Sequence, residues 1–363
     1  MITTNTIRNS QLCFYDLHRV HFESSLIYHK RKSFISSPFP SQKMAAADNP
    51  VEVSIDVFPY LRVLKDGAVQ RLAATEVAPA GLDPETNVLS RDIIIIPETG
   101  VSARIYHPNS AKPEEKLPLV VYFHGGAFIT SSVADPKYHA SLNNLVAEAG
   151  VVLVSVNYRL APEYPLPTAY EDSWAALEWV ALHGKHEAWL KEFADFGRLF
   201  LVGDSAGSNI SHHLALRLKK SMVGRELKVL GIGMINPYFW GLDLIGVEKT
   251  DQFRRKMVDN WWLFVCPSDK GCDDPFINPF ADGAPDVAGL ACEKLLVIVA
   301  EKDILRDRGK LYYERLVNSD WPGKAEIMEV EGEDHVFHIF DPTTQKARSL
   351  MKCLASFINA PVV

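Results

Sequence analysis

The apolar run Leu199-Phe200-Leu201-Val202 passes directly into Gly203-Asp204-Ser205-Ala206-Gly207, and a helix-forming stretch from Asn209 to about Leu218 follows. A strand, a corner of small residues and a helix, in that order, leave few folds open. The two glycines let a strand turn sharply into a helix, because no side chain stands where the two elements meet. Such a corner also lifts the central serine to where a neighbouring base can reach its hydroxyl. The pentapeptide alone occurs by chance. Its weight here comes from the strand before it and the helix after it.

Strand and helix signals alternate from Val53 onward. Ile93 to Ile96 and Ala103 to Tyr106 are β-rich and bounded by turns, and they read as the antiparallel start of a sheet. Leu117–Phe123, a helix near Tyr138–Glu148, the strand Val151–Val156 and a helix Tyr170–Leu182 lead to the corner. Beyond it come the strands Val229–Ile235 and Leu295–Ala300, a helix Lys310–Val317, the strand Glu326–Val330 and a closing helix Thr344–Phe357. Continuous apolar strands separated by helices imply an α/β fold, with a mostly parallel central sheet flanked by helices. Residues 44–363 are expected to form one such domain, without internal repeats.

Two further motifs sit at strand ends. His124-Gly125-Gly126-Ala127-Phe128 closes the strand Leu119-Val120-Val121-Tyr122-Phe123. A glycine-rich loop there can aim backbone N–H groups at an oxyanion, and Gly125 and Gly126, with Ala206 behind the serine, are the expected donors. The second motif is a pair: Asp303 lies just past Lys294–Ala300, and Gly332-Glu333-Asp334-His335 lies just past Glu326–Val330. Serine, acid and histidine in that chain order suit nucleophilic catalysis, with Ser205 attacking, His335 carrying the proton and Asp303 orienting the imidazole. Glu301, Asp307 and Asp334 are the rival acids. Asp303 is preferred because Glu301 belongs to the strand end and Asp307 to the next helix.

Together with Tyr158-Arg159-Leu160-Ala161-Pro162-Glu163 and Asp303-Ile304-Leu305-Arg306-Asp307-Arg308-Gly309, these motifs resemble the plant carboxylesterases. Those proteins are a hormone-sensitive-lipase-like branch of the α/β-hydrolase fold, and the resemblance runs from about Val53 to Ile358. It implies hydrolysis of carboxylic esters by a triad falling on Ser205, Asp303 and His335; no cofactor is expected, and no His, Cys and Asp cluster has the spacing of a metal site. Ala127 stands where a third glycine is frequent in that family, and Ser208 where glycine often follows the corner. Relatives of the family include 2-hydroxyisoflavanone dehydratases, lactone-forming enzymes that convert glycosyl esters, and alkaloid cyclases. Gibberellin receptors resemble the family too, keeping the serine but losing the histidine. His335 argues against a receptor.

Two stretches interrupt the alternation and are expected to form lid segments, near 53–87 and 238–280. The second is rich in aromatics: Phe239, Trp240, Trp261, Trp262, Phe264 and Phe276. Most are expected to pack the lid onto the body. Phe128, Phe239 and Trp240, nearest to strand ends, are the candidates for substrate contact. Arg159 and Glu163 are expected to form a structural ion pair beneath the site.

The chain carries a net charge of −7, and residues 1–43 hold six Lys or Arg against two Asp or Glu, so the remainder is more acidic still. An acidic body argues against nucleic acid or an anionic membrane as partner, and no apolar stretch approaches the roughly 18–20 residues of a membrane span. A small-molecule ester is the expected partner; the oligomeric state stays open. The five cysteines, Cys13, Cys266, Cys272, Cys292 and Cys353, form no C-x-x-C pair and are expected to be reduced thiols. Adjacent on one helix, His212 and His213 point to different sides and make poor metal co-ligands. Residues 1–43 are basic, serine-rich and without an apolar signal core. They read as a disordered leader, either a plastid transit peptide or an upstream extension before a working start at Met44. The second reading is preferred and places the protein in the cytoplasm.

Overall fold

In the computed structural model, residues 52–221 and 227–361 are described; the expected leader at 1–43 lies outside the described residues. A small antiparallel sheet comes first, from β1 (Val53–Val57), β2 (Leu61–Leu64) and β3 (Val69–Arg71). The main sheet begins with β4 (Leu82–Asp83), β5 (Val88–Ile96), β6 (Val101–Pro108), β7 (Leu117–Phe123), β8 (Val152–Asn157) and β9 (Ala194–Asp204). It continues with β10 (Val229–Ile235), β11 (Lys294–Ala300) and β12 (Lys324–Val330), giving the strand order β12-β11-β10-β9-β7-β8-β6-β5-β4. Pairs from β12 through β8 are parallel, and β6, β5 and β4 continue antiparallel.

The apolar runs follow from burial on both faces of this sheet. Along β7, Leu119, Val121 and Phe123 enter one core while Val120 and Tyr122 enter the other. Along β11, Leu295, Val297 and Val299 alternate in the same way with Leu296, Ile298 and Ala300. Successive side chains of a strand point to opposite faces, so a strand covered on both sides must be apolar throughout.

One face is covered by α1 (Pro136–Ala149) and α8 (Gln345–Asn359), through Leu142, Leu145, Leu350 and Leu354. The other is covered by α2 (Thr168–Leu182), α4 (Ala206–Lys219) and α6 (Arg306–Val317), through Leu177, Ile210, Leu214, Tyr312 and Leu316. The short α3 (Ala188–Phe193) precedes β9, α5 (Gln252–Val265) lies in the insertion after β10, and α7 (Phe337–Phe340) follows the β12 loop. Among the described residues, no helix is long and apolar enough to cross a membrane.

Placing β7 between β8 and β9 reverses the direction in which the chain winds. Loops at the carboxyl ends of the strands diverge at such a reversal and open a crevice, where α/β sheets hold their ligands. Both chemistry-bearing motifs of the first half, after β7 and after β9, stand at that point.

Candidate active site

Register brings the strand ends side by side. Phe123 pairs with Gly203, Asp204 with Ile235, Ile235 with Ile298, and Ala300 with Val330. The loops that follow β7, β9, β10, β11 and β12 therefore meet at one edge of the sheet.

Ser205 occupies the corner between β9 and α4 with φ 50° and ψ −116°, a conformation that non-glycine residues avoid unless their surroundings hold it. Its N–H donates to the Ile235 carbonyl at 2.8 Å, and its carbonyl accepts the Tyr238 N–H at 3.0 Å. A Cβ on Gly207 would fall on the Phe123 carbonyl, and one on Gly203 on the Gly207 backbone. Only glycine lets α4 start this close to two strands. Ser208 reinforces the corner, its hydroxyl donating to the Gly203 carbonyl at 2.7 Å and accepting the Ile235 N–H at 2.9 Å.

The expected triad residues are brought together. His335 Nε2 lies 3.0 Å from Ser205 Oγ, and His335 Nδ1 lies 2.8 Å from Asp303 Oδ2. Asp303 is fully buried; its Oδ1 accepts the Leu305 N–H at 2.9 Å, and its Oδ2 also accepts the Asn236 amide at 2.9 Å. Burial opposes protonation of His335, but the charge and hydrogen bond of Asp303 outweigh it, and the net shift lifts the imidazole above its ordinary value. The rival acids are engaged elsewhere. Glu301 accepts the Gly332 N–H, Asp307 accepts the Val247 N–H, and Asp334 takes the His335 backbone N–H and pairs with Arg254.

The glycine loop needs a correction. The Gly125 N–H is buried and directed away from an incoming ester, toward the Tyr138 hydroxyl at 2.8 Å and Asp204 Oδ1 at 3.1 Å. Asp204 also accepts the hydroxyls of Tyr122 and Tyr138, each at 2.7 Å. Burial pushes this carboxyl up to about 6, against the lowering by those hydrogen bonds. Asp204 thus ties the loop after β7 to the corner after β9. Gly126, Ala127 and Phe128 follow with φ of 97°, 53° and 63°, and the Gly126 carbonyl accepts the N–H groups of Ile129 and Thr130. Among the described residues, no hydrogen bond takes the N–H of Gly126 or Ala127. The Ala206 N–H opens α4, where first-turn donors have no intrahelical acceptor.

The substrate-contact candidates are corrected too. Phe128 is buried among Tyr170, Tyr238 and Trp262, with ring centroids 5.5–6.4 Å away. Phe239 stacks on Tyr312 at 4.6 Å, and Trp240 donates to Asp259 at 2.6 Å with Arg255 over its ring. All three serve packing. Nor do Arg159 and Glu163 pair with each other: the Arg159 guanidinium makes two hydrogen bonds to the Asp172 carboxylate and its backbone N–H a third, and Glu163 pairs with Arg71 at 2.9 Å. Cys266 and Cys272 are free buried thiols, as expected, and burial pushes them up to about 11 and about 12.

A cavity of about 490 Å³ lies between β1 and α5, lined by Ile55, Phe58, Phe253, Met257, Trp261 and Phe264 together with the polar Asp56, Lys256 and Asn260. Trp261 donates to the Phe58 carbonyl at 3.0 Å and packs on Tyr60, so the two expected lid segments touch. The signal for this wall was in the sequence, since Phe253, Met257, Trp261 and Phe264 recur at helical spacing. The opposite face of α5, with Val258, Trp262 and Val265, is buried.

A family model for the α/β hydrolase fold matches residues 120–339. A protein of Arabidopsis thaliana named probable carboxylesterase 2 is 61% identical over 308 residues, 85% of this chain and 97% of that protein. Tuliposide A-converting enzyme 1, chloroplastic, from Tulipa gesneriana is 41% identical, over 93% of this chain and 86% of that one. The 2-hydroxyisoflavanone dehydratase of Glycine max is also 41% identical, over 85% of this chain and 99% of that one. Among solved structures, a hyperthermophilic esterase from the archaeon Pyrobaculum calidifontis aligns with a TM-score of 0.61 and 30% identity, over 74% of this chain and 84% of that one. Sequence, fold and strand-end loops agree, and the chain belongs to the plant carboxylesterase family of the α/β hydrolases.

Proposed function

We propose that this carboxylesterase cleaves small, fairly apolar esters through an acyl-enzyme on Ser205. The observation that carries the proposal is the continuous hydrogen-bonded line from Ser205 Oγ through both nitrogens of His335 to the buried Asp303 carboxylate. Ser205 Oγ attacks the ester carbonyl while its proton passes to His335 Nε2. The resulting oxyanion is held by the N–H groups of Gly126, Ala127 and Ala206, each worth roughly 3–4 kcal/mol of barrier. The tetrahedral species collapses, the alkoxide leaves with the proton from His335, and the acyl group stays on Ser205. Water, deprotonated by the same imidazole, then attacks the acyl carbon and frees the acid.

The apolar character of the substrate is the part of this proposal that acyl length measures. The test is a series of p-nitrophenyl esters of rising acyl length, with product analysis. Serine-dependent release of free acid with an optimum at one length is expected. An alkene or a lactone as product would replace hydrolysis by elimination or by intramolecular acyl transfer.

The pH profile follows from His335. The base must be neutral to accept the serine proton, and Asp303 raises its affinity for a proton. kcat/KM should therefore fall on the acid side, about tenfold per pH unit, with a midpoint above the ordinary histidine value of about 6.5. A profile flat through that range would contradict His335 as the base.

For location we infer the cytoplasm, with the plastid reached only by chains that keep residues 1–43. The tulip relative's chloroplastic name supports a plastid address for such a leader. A fluorescent reporter fused to residues 1–43 that stays outside plastids would remove it.

A further inference from the structure

Asn236 follows the last residue of β10, between the strands that carry Ser205 and Asp303. Its backbone N–H donates to the Ile298 carbonyl at 2.7 Å, and its φ is 46°. The side chain is buried: Nδ2 donates to Asp303 Oδ2 at 2.9 Å, while Oδ1 is enclosed without a hydrogen-bond partner. Turning the amide over would set its oxygen against a carboxylate oxygen, so chemistry fixes the orientation. Two of these features work against stability. A left-handed backbone is unfavourable for a non-glycine residue, although asparagine tolerates it better than most. A buried acceptor without a donor is unfavourable as well. What the arrangement achieves is one N–H aimed at the carboxylate oxygen that serves His335.

We propose that Asn236 is a positioning residue for the acid–base pair, holding the Asp303 carboxylate in the rotation that presents Oδ2 to His335 Nδ1. The proposal rests on the Ser205–His335–Asp303 chemistry given above. Among the described residues, Oδ1 is held by the Leu305 N–H alone, and without the amide Oδ2 would be held by His335 alone. The carboxylate could then follow the imidazole as the ring moves between Ser205 and the leaving group, and the ring would lose its fixed bearing. Other charged or titratable groups face His335: Asp334 through its backbone N–H, Asp204 behind the glycine loop, buried His338 on α7, and Arg254 beside Asp334. None of them hydrogen-bonds Asn236 among the described residues.

The test uses Asn236→Gly and Asn236→Asp in the full chain, with p-nitrophenyl butyrate turnover followed against pH and thermal unfolding alongside. Glycine adopts the left-handed backbone freely and deletes the whole side chain, the amide with its methylene. For Asn236→Gly, kcat should fall about 10–100-fold with KM nearly unchanged, and the melting temperature should be no lower than wild type. Asn236→Asp keeps the shape and places a second carboxyl against Asp303, so the pair retains a shared proton at low pH. That proton can restore the missing donor. The kcat ratio of Asn236→Asp to Asn236→Gly should therefore exceed one on the acidic side and decline as pH rises. A purely structural residue would lower melting temperature in both variants and leave this ratio independent of pH, which would overturn the proposal. Wild-type kcat in Asn236→Gly would overturn it too, while leaving the Ser205-dependent esterase intact. Loss of Ser205 dependence in the wild-type chain would instead remove the esterase reading on which it rests.

Discussion

Ser205→Ala should lower kcat by roughly 10⁴–10⁶-fold while the protein folds and melts as wild type does. The large effect follows from geometry. Among the described residues, Oγ is the one nucleophile within hydrogen-bond reach of His335 Nε2, at 3.0 Å, and alanine leaves nothing to form the acyl-enzyme. The small effect on folding follows from the backbone. The corner is held by the Ser205 N–H on Ile235, by its carbonyl on Tyr238 and by the close contacts of Gly203 and Gly207, none of which involves Oγ. Because the triad acts as a unit, adding His335→Ala to Ser205→Ala should cost almost nothing further. A residual rate above the uncatalysed one should persist in both variants, since the Gly126, Ala127 and Ala206 N–H groups remain. Rates, melting curves and the double variant together check the prediction. A double variant far slower than Ser205→Ala would show that the two residues act independently.

Asp303→Asn should lower kcat by roughly 10⁴-fold. Among the described residues, every partner of the Asp303 carboxylate is a donor: the Leu305 N–H on Oδ1, and the His335 ring and the Asn236 amide on Oδ2. A carboxylate accepts on both sides. An amide accepts on one side and donates on the other, so in either orientation two donors would face each other inside the protein. If the amide oxygen faced Leu305, the imidazole would be driven to the tautomer that places its proton on Nε2, facing the serine it must deprotonate. The loss of charge has its own signature. Asp303 raises His335 above the ordinary histidine range against the opposing effect of burial, so removing the anion should move the acid limb of the residual activity to lower pH. An unshifted limb would mean that some other group sets the proton affinity of His335.

Much of the fold was legible because a strand stretch buried on both faces must be apolar at every position, as Leu119–Phe123 of β7, Leu199–Val202 of β9 and Leu295–Ala300 of β11 are. The edge strand β12 alternates exposed and half-buried residues and reads less clearly, yet the His335 loop after it was marked by its own motif. The triad was legible for a related reason: parallel strands end at one edge, so chemistry-bearing residues just past strand ends converge whatever their distance in sequence. What the sequence could not carry was which groups those neighbours had already engaged. Gly125 was a reasonable oxyanion donor until Tyr138 and Asp204 were seen to take its N–H. Closeness to a strand end did not make Phe239 and Trp240 solvent-facing, since Tyr312 and the Arg255 and Asp259 side chains close over them. Arg159 and Glu163 stand four apart, but their segment is not helical, and α2 supplies Asp172 instead. Asn236 lay in plain view at the end of an apolar strand, and only its hydrogen bond to Asp303 gave it meaning.

Hydrolysis by this route passes through a covalent acyl group at Ser205, and acid-quench mass spectrometry during turnover of p-nitrophenyl butyrate reads it most directly. One butyryl group per chain, mapped to the peptide that carries Ser205 and absent from Ser205→Ala, is the expected result. Rapid release of p-nitrophenol with no adduct at Ser205, undiminished in Ser205→Ala, would contradict the account.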